Sequence, residues 1–210
     1  MKKINELFEI NNALLKEELT SYLYPCEILP DINKIIMNMI KKIDLNEYQK
    51  FNENVYVHKS VSIGQGVEII PPAIIMENAS LRHNAYLRGN VIIGPNSVVG
   101  NSCEIKNSIL ISQDEVPHFN YVGDSILGNK VHLGAGVILA NLRFDKENIK
   151  VEKEQTNLRK IGAFIGDNTQ IGCNSVVFPG TVIEKNSLVM PLETVRGLYP
   201  NNKEKRIERI

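Results

Sequence analysis

Arg88 and Lys106 stand eighteen residues apart, Glu104 lies two residues ahead of the lysine, and the stretch "QDEVPHFNYVGD" at 113–124 then presents His118 and Tyr121. An imidazole titrates near neutrality and suits proton transfer, whereas a guanidinium and an ammonium suit a phosphoryl group. If the fold brings residues eighteen apart together, two cationic heads about 6 Å from one another repel by roughly 2–3 kcal/mol at an effective dielectric near 20. Such a pair favours an anion, which Glu104 could supply to either cation; alternatively Glu104 could orient a neighbouring imidazole. Pro117 restrains His118 from the N-terminal side. His132 could touch a ligand, while His58 and His83 are assigned no chemistry. His83, His118 and His132 lack the compact spacing of zinc ligands, so no metal is expected. Cys26, Cys103 and Cys173 form neither a CxxC pair nor an even-numbered framework and are read as thiols.

The elements that must position these groups announce themselves by a period of six. An aliphatic residue recurs at Val57, Ile63, Ile69, Ile75, Leu81, Leu87, Ile93, Val99, Ile105 and Ile111, with a small or β-branched companion two residues earlier in most rungs. The beat resumes at Leu127, Leu133 and Leu139, and again from Ile165 to Val189. Six fits neither a helix nor a long alternating strand, but it fits a short strand followed by a corner, with "IG" and "VG" pairs as glycine-assisted corners. Three rungs make one coil of about 18 residues, and stacked coils bury an aliphatic column. The expected fold is mainly β: a left-handed parallel β-helix over residues 53–190, with loops near 112–121 and 141–160. On this geometry Arg88 and Lys106 point outward from one face, and the loop carrying His118 and Tyr121 lies on the same side of the prism.

An open β-helix end exposes unpaired strand edges. Residues 1–52 are expected to form a helical cap or linker. In it "PDINKIIMNMIKKI" places Asp31 as N-cap with Ile32, Ile35, Ile36 and Met39 on one face, and "NNALLKEELTSYL" gives a shorter helix capped by Asn11 or Asn12. Residues 191–210 read as a charged tail.

The 210 residues are 43% apolar and 23% charged with no tryptophan, the profile of a globular chain with an aliphatic core. Twenty-four basic residues balance twenty-four acidic ones, which argues against a general nucleic-acid surface. No apolar run approaches the 18 or so residues of a membrane helix, and "MKKINELFEI" has no apolar core of a signal peptide behind its lysines, so a cytoplasmic location is expected.

The segment "RGNVIIGPNSVVGNSCEIKNSILISQDEVPHFNYVGDSILGNKVHLGAGVILAN" resembles the acetyltransferase domain of the bifunctional N-acetylglucosamine-1-phosphate uridyltransferases, which are trimeric left-handed β-helices; "EIK", "VPHFNYVGD" and "LGAGVILAN" carry most of the likeness. The whole chain is also similar to bacterial proteins named as related to UDP-N-acetylglucosamine pyrophosphorylase. The resemblance implies a homotrimeric, acetyl-CoA-dependent N-acetyltransferase acting on an amino-sugar phosphate such as glucosamine 1-phosphate. It implies His118 as general base, with Glu104 supporting the site and Asn141 near the amine. Arg88, Lys106 and Tyr121 would hold the phosphate, His132 and Lys160 would meet the sugar, and Ala135 and Cys173 would line the coenzyme site. His132 stands in place of an asparagine of the family, and Leu142 in place of a tyrosine. Residues 1–52 do not resemble the nucleotide-binding half, so uridylyl transfer is not expected. The alternative is a non-catalytic trimer that binds a sugar phosphate or nucleotide sugar.

Overall fold

The computed structural model describes residues 1–202, and the expected coil is its organising unit. Strands of two to five residues turn at corners and stack on their counterparts one coil away, as in Val57 beside Ile75, Ile75 beside Ile93, Leu81 beside Val99 and Leu87 beside Ile105. Stacking generates three walls. The first has nine strands, including an antiparallel edge strand Tyr48–Asn52, and the second and third have seven parallel strands each. Val57, Ile75, Leu87, Ile105, Leu133, Ile165 and Ile183 belong to the enclosed aliphatic column.

Many corners turn through a residue in the left-handed region, and asparagine fills this position at Asn78, Asn84, Asn90, Asn96, Asn168, Asn174 and Asn186, with φ between 53° and 59°. Asparagine tolerates that conformation better than other side-chain-bearing residues because its short amide bonds locally. The glycines of the "IG" and "VG" pairs serve a different end from the one expected. A Cβ on Gly94 would lie 1.9 Å from the Ile111 carbonyl oxygen, and one on Gly100 would lie 1.7 Å from that of Pro117. Those corners need glycine for close approach between coils.

The presumed loop at 112–121 is instead regular coil. Its strands are Ser108–Ser112, Glu115–His118 and Tyr121–Gly123, one on each wall. Two rungs of five residues, from Ile105 to Leu110 and from Val122 to Leu127, shorten the coils to seventeen, as the pairing of Leu110 with Ile93 and Glu104 with Tyr121 requires. Leu110 therefore enters the column while Ile111 faces outward, against the strict sixfold reading. His118 ends a strand of the second wall, whereas Arg88, Lys106 and Tyr121 lie on the third; the expectation that all four share one side holds for Tyr121 and is corrected for His118, which precedes the corner between the two walls.

The excursion after Ile138–Leu139 is genuine. It carries a small antiparallel hairpin, Lys150–Val151 with Glu154–Gln155, before Ala163–Ile165 resumes the first wall. Strands Thr194–Val195 and Leu198–Tyr199 continue the coils, so the solenoid passes residue 190; the expected tail beyond residue 202 lies outside the described residues.

Four helices precede the coils: α1 Ile4–Leu7, α2 Ala13–Leu19, α3 Pro25–Ile28 and α4 Ile32–Ile40. Asn12 caps α2 by accepting from the Leu15 amide, but Asp31 does not cap α4 with its side chain, because its carboxylate accepts from the Tyr22 hydroxyl at 2.7 Å. The helical segment does not close the end of the column. Its buried Leu15, Ile32, Ile35 and Ile36 join a second core with Ile74, Ile92, Ile109, Ile126, Phe164 and Val182, the outward residues of the first wall. Those side chains form an apolar stripe along the prism, and covering it removes more apolar area from water than plugging one end. α1 lies by the late coils, where the Leu7 carbonyl accepts from the Asp167 amide, and α4 packs on Ala73–Ile75 and Val91–Ile93.

Among the otherwise aliphatic or small uncharged residues of the interior stands one acid. Asp114 is fully buried between Ser97 and Val131; its Oδ1 accepts from the Val131 amide at 3.0 Å, and Oδ2 has no partner among the described residues. Burial pushes its carboxyl well above the usual carboxylate range. A carboxyl held protonated in the fold stabilises at low pH, and that contribution is lost as pH rises from the unfolded value of about 3.9 towards the folded one. Elsewhere serine performs the same linking role: Ser97 Oγ accepts from the Asp114 amide at 3.1 Å and Ser108 Oγ from Ser125 at 3.0 Å. Asp114→Ser therefore keeps the link and removes the orphaned oxygen. Thermal melts should show the variant more stable at pH 7, by roughly 1–3 kcal/mol, with the difference shrinking towards pH 4; an equal melting temperature throughout would contradict the assignment.

Candidate functional site

Outward side chains on the third wall are stacked by the coil register. Glu104 lies between Tyr86 and Tyr121, and Tyr121 lies beside Ile138. Arg88 ends one strand and Lys106 the next, so the two cations are neighbours as expected. Each already has an acid. Arg88 Nη1 donates to Glu104 Oε1 at 2.6 Å, and Lys106 Nζ donates to the two Asp124 oxygens at 3.2 and 3.0 Å. The repulsion that favoured an added anion is thus answered within the chain.

Asp124 is the hub that the sequence reading missed. Only 4% exposed, it also accepts from Asn107 Nδ2 at 2.9 Å and from Asn141 Nδ2, and the same Asn141 amide donates to the Tyr121 hydroxyl at 3.1 Å. Its signal was the corner position in "YVGD", eighteen residues past Lys106. Burial, and next the charge of Glu104, raise the Tyr121 phenol above its ordinary value, so it remains a hydrogen-bond donor at neutral pH.

A second group occupies the second wall. His118 is the last residue of strand Glu115–His118, and Phe119, with φ 53°, turns the chain towards Tyr121 on the third wall. Asn120 fixes this corner from inside: its Oδ1 accepts from the His118 amide at 3.0 Å and its Nδ2 donates to the Gly134 carbonyl at 2.7 Å. The His118 imidazole is exposed and makes no hydrogen bond among the described residues. It borders a depression of about 380 Å³ whose lining includes His132, Ala135, Cys173 and Arg82. His132 is engaged by Glu115, Nδ1 to Oε2 at 2.7 Å. The Ala135 N–H donates to no acceptor among the described residues.

The ten expected residues thus fall into three places. His118, His132, Ala135 and Cys173 lie on the second wall; Arg88, Glu104, Lys106, Tyr121 and Asn141 form the network on the third; Lys160 borders a cavity beyond it that Asp124 also lines. The short corner through Phe119 and Asn120 joins the first two groups. Such an arrangement can offer an exposed base on one side of an edge and a fixed set of donors and acceptors on the other. Among the described residues no group of three or more His, Cys, Asp or Glu side chains converges as metal ligands.

Residues 69–161 match a family model described as the GMPPB C-terminal domain. The chain is 38% identical over 88 residues to a bifunctional sugar-1-phosphate nucleotidylyltransferase/acetyltransferase of Sulfurisphaera tokodaii, a match covering 40% of this chain and 22% of that protein. It is 43% identical over 86 residues to the bifunctional protein GlmU of Methanococcus vannielii, covering 39% and 20%. About 40% of the chain is thus similar to proteins of the GlmU type, and the match spans about a fifth of the length of these relatives. The solved structure of PerB from Caulobacter crescentus with CoA and GDP-perosamine is similar at 18% identity and TM-score 0.27, over 69% of this chain and 50% of that one.

The two ion pairs differ in burial, and their removal should differ accordingly. Glu104 and Arg88 are 31% and 44% exposed, so Glu104→Ala should cost roughly 0–1 kcal/mol of stability. Asp124→Ala strands Lys106, Asn107 and Asn141 and should cost roughly 2–4 kcal/mol. Denaturant melts of the two variants compare them directly; equal losses would deny Asp124 its central place.

Proposed function

We propose that this chain is an acetyl-CoA-dependent N-acetyltransferase acting on an amino-sugar phosphate. The observation that carries the reading is the exposed, uncommitted imidazole of His118 at the lip of the second-wall depression, one corner away from the Tyr121–Asn141–Asp124 network. Relatedness of this segment to bifunctional nucleotidylyltransferase/acetyltransferases supports the acetyl-transfer half of their activities. Their uridylyl or nucleotidylyl transfer is not carried over, because the match spans about a fifth of them.

Acetyl-CoA would supply the acyl thioester along the side of the depression bearing Ala135 and Cys173, where the Ala135 amide has a hydrogen to give. His118 takes the proton released as the sugar nitrogen bonds to the acyl carbon, and as the carbon–sulfur bond breaks it passes that proton to the departing coenzyme thiolate, which leaves as the thiol. Asn120 holds that imidazole's backbone, so the base is presented by a rigid coil. Asn141 is held by Asp124 and Tyr121 in one orientation, suited to accept from the attacking amine through its side-chain oxygen. Glu104 and Arg88 neutralise one another beside Tyr121, and Lys106 fixes Asp124.

The active assembly is a homotrimer in the cytoplasm. Helices cover the first wall, which leaves the second and third to meet neighbouring subunits, so that a depression shallow in one chain gains a second side. No helix of the described residues is long and apolar enough to cross a membrane.

Incubation with acetyl-CoA and glucosamine 1-phosphate should release free thiol. His118→Ala should lower kcat by about 10²–10⁴-fold with an unchanged melting temperature, since the ring is exposed. Absence of thiol release with every amino-sugar phosphate tried would overturn the reading, and sedimentation as a monomer would overturn the trimer.

A further inference from the structure

Between the third wall, the 141–160 excursion and the helical segment lies a cavity of about 590 Å³. Lys146, Arg159 and Lys160 line it from the excursion, Leu29 and Pro30 from the short 3-10 helix Leu29–Asp31, and Asp124 from the wall. The three cations have no carboxylate partner among the described residues: Lys146 and Lys160 make no ion pair, and Arg159 donates from Nε to the Lys146 carbonyl at 3.1 Å. That bond anchors the guanidinium while leaving its terminal nitrogens unengaged. Of the nearby acids, Asp145 is occupied by Arg143, and Asp124, the one that lines the cavity, by Lys106, Asn107 and Asn141. Asn107 Nδ2 also donates to the Leu29 carbonyl at 3.4 Å, so the helical segment is tied to the wall at this seam.

Three unpaired cations around one concavity repel each other and attract a multiply charged anion, whereas Arg88 and Lys106 are each neutralised in place. We infer that the phosphoryl end of the substrate sits on Lys146, Arg159 and Lys160 rather than on Arg88 and Lys106, and that Leu29 and Pro30 form the apolar side of this subsite. The inference rests on the reading that the ligand is a phosphorylated amino sugar, and it names the residues that recognise the phosphate. Phosphoryl oxygens are common to a hexosamine 1-phosphate and to a nucleoside diphosphate hexosamine. The site binds this shared chemistry.

Pyrophosphate titrated calorimetrically into the full chain tests it. Binding should weaken at least tenfold in Lys146→Gln/Lys160→Gln and stay within twofold in Arg88→Gln, and wild-type affinity should fall as salt is raised. Both lysines are exposed, and Arg159→Lys, which keeps charge but loses the anchored fork, should weaken binding by a smaller factor. No binding by the wild type, or loss in Arg88→Gln but not in the double variant, overturns the inference. A hexosamine 1-phosphate and a nucleoside diphosphate hexosamine compared in the same titration identify the source by the tighter ligand. Cation-dependent pyrophosphate binding without thiol release from any amino sugar would leave this subsite standing and remove the acetyl-transfer reading. Thiol release with an unaltered KM in the double variant would do the reverse.

Discussion

Backbone hydrogen bonding between successive coils is the constraint on which everything else rests. Ser80 donates to Ser97, Arg82 to Val99, Val98 to Asp114 and Tyr121 to Val137, each bond crossing to the neighbouring coil. At strand spacing of about 4.8 Å there is little room between corners, and Gly94 and Gly100 mark places where any Cβ would collide with the next carbonyl. A side chain on such a wall has its neighbours chosen by register. Glu104 meets Tyr86 and Tyr121 for that reason, and Arg88 reaches Glu104 one coil away.

Register also explains where the sequence was legible and where it was not. The aliphatic column, its coil and its three walls follow from a period of six, because enclosed positions accept only apolar or small uncharged side chains with the exception of Asp114. The slip to seventeen residues was hidden in "SILIS", where both Leu110 and Ile111 are aliphatic and either could point inward. Polar residues at 113–121 then looked like a loop, although Val116 and Val122 continue the column. Read as one loop, the segment also hid the corner at Phe119 that separates His118 on the second wall from Tyr121 on the third. A residue type at a spacing specifies stacking only while the coil length is constant.

Charge partnership was less legible still. Sequence arithmetic placed Arg88 beside Lys106, and the coils do bring them together, but whether such cations await a ligand depends on which acids the corners deliver. Asp124 reaches Lys106 because it sits where one wall turns into the next, and its burial lets it hold two amides as well. Lys160, at the end of the excursion, is by contrast left without an acid among the described residues. Electrostatic need therefore moves away from the regular wall to the irregular segment, where no repeat dictates a partner.

The helical segment connects these points. Both surfaces of the first wall are apolar, as in the buried triplets Ala73–Ile75, Val91–Ile93 and Ala163–Ile165, so local alternation does not separate inward from outward residues there and only the period of six does. An apolar outer surface must be covered, and the amphipathic face of α4 with Leu7, Leu15 and Leu19 covers it along the prism instead of across its end. Where that cover stops, at Leu29 and Pro30, it meets the excursion and the Asp124 corner. A concave space with apolar and cationic sides arises there because a coil insertion and a lateral helical cover end at the same edge.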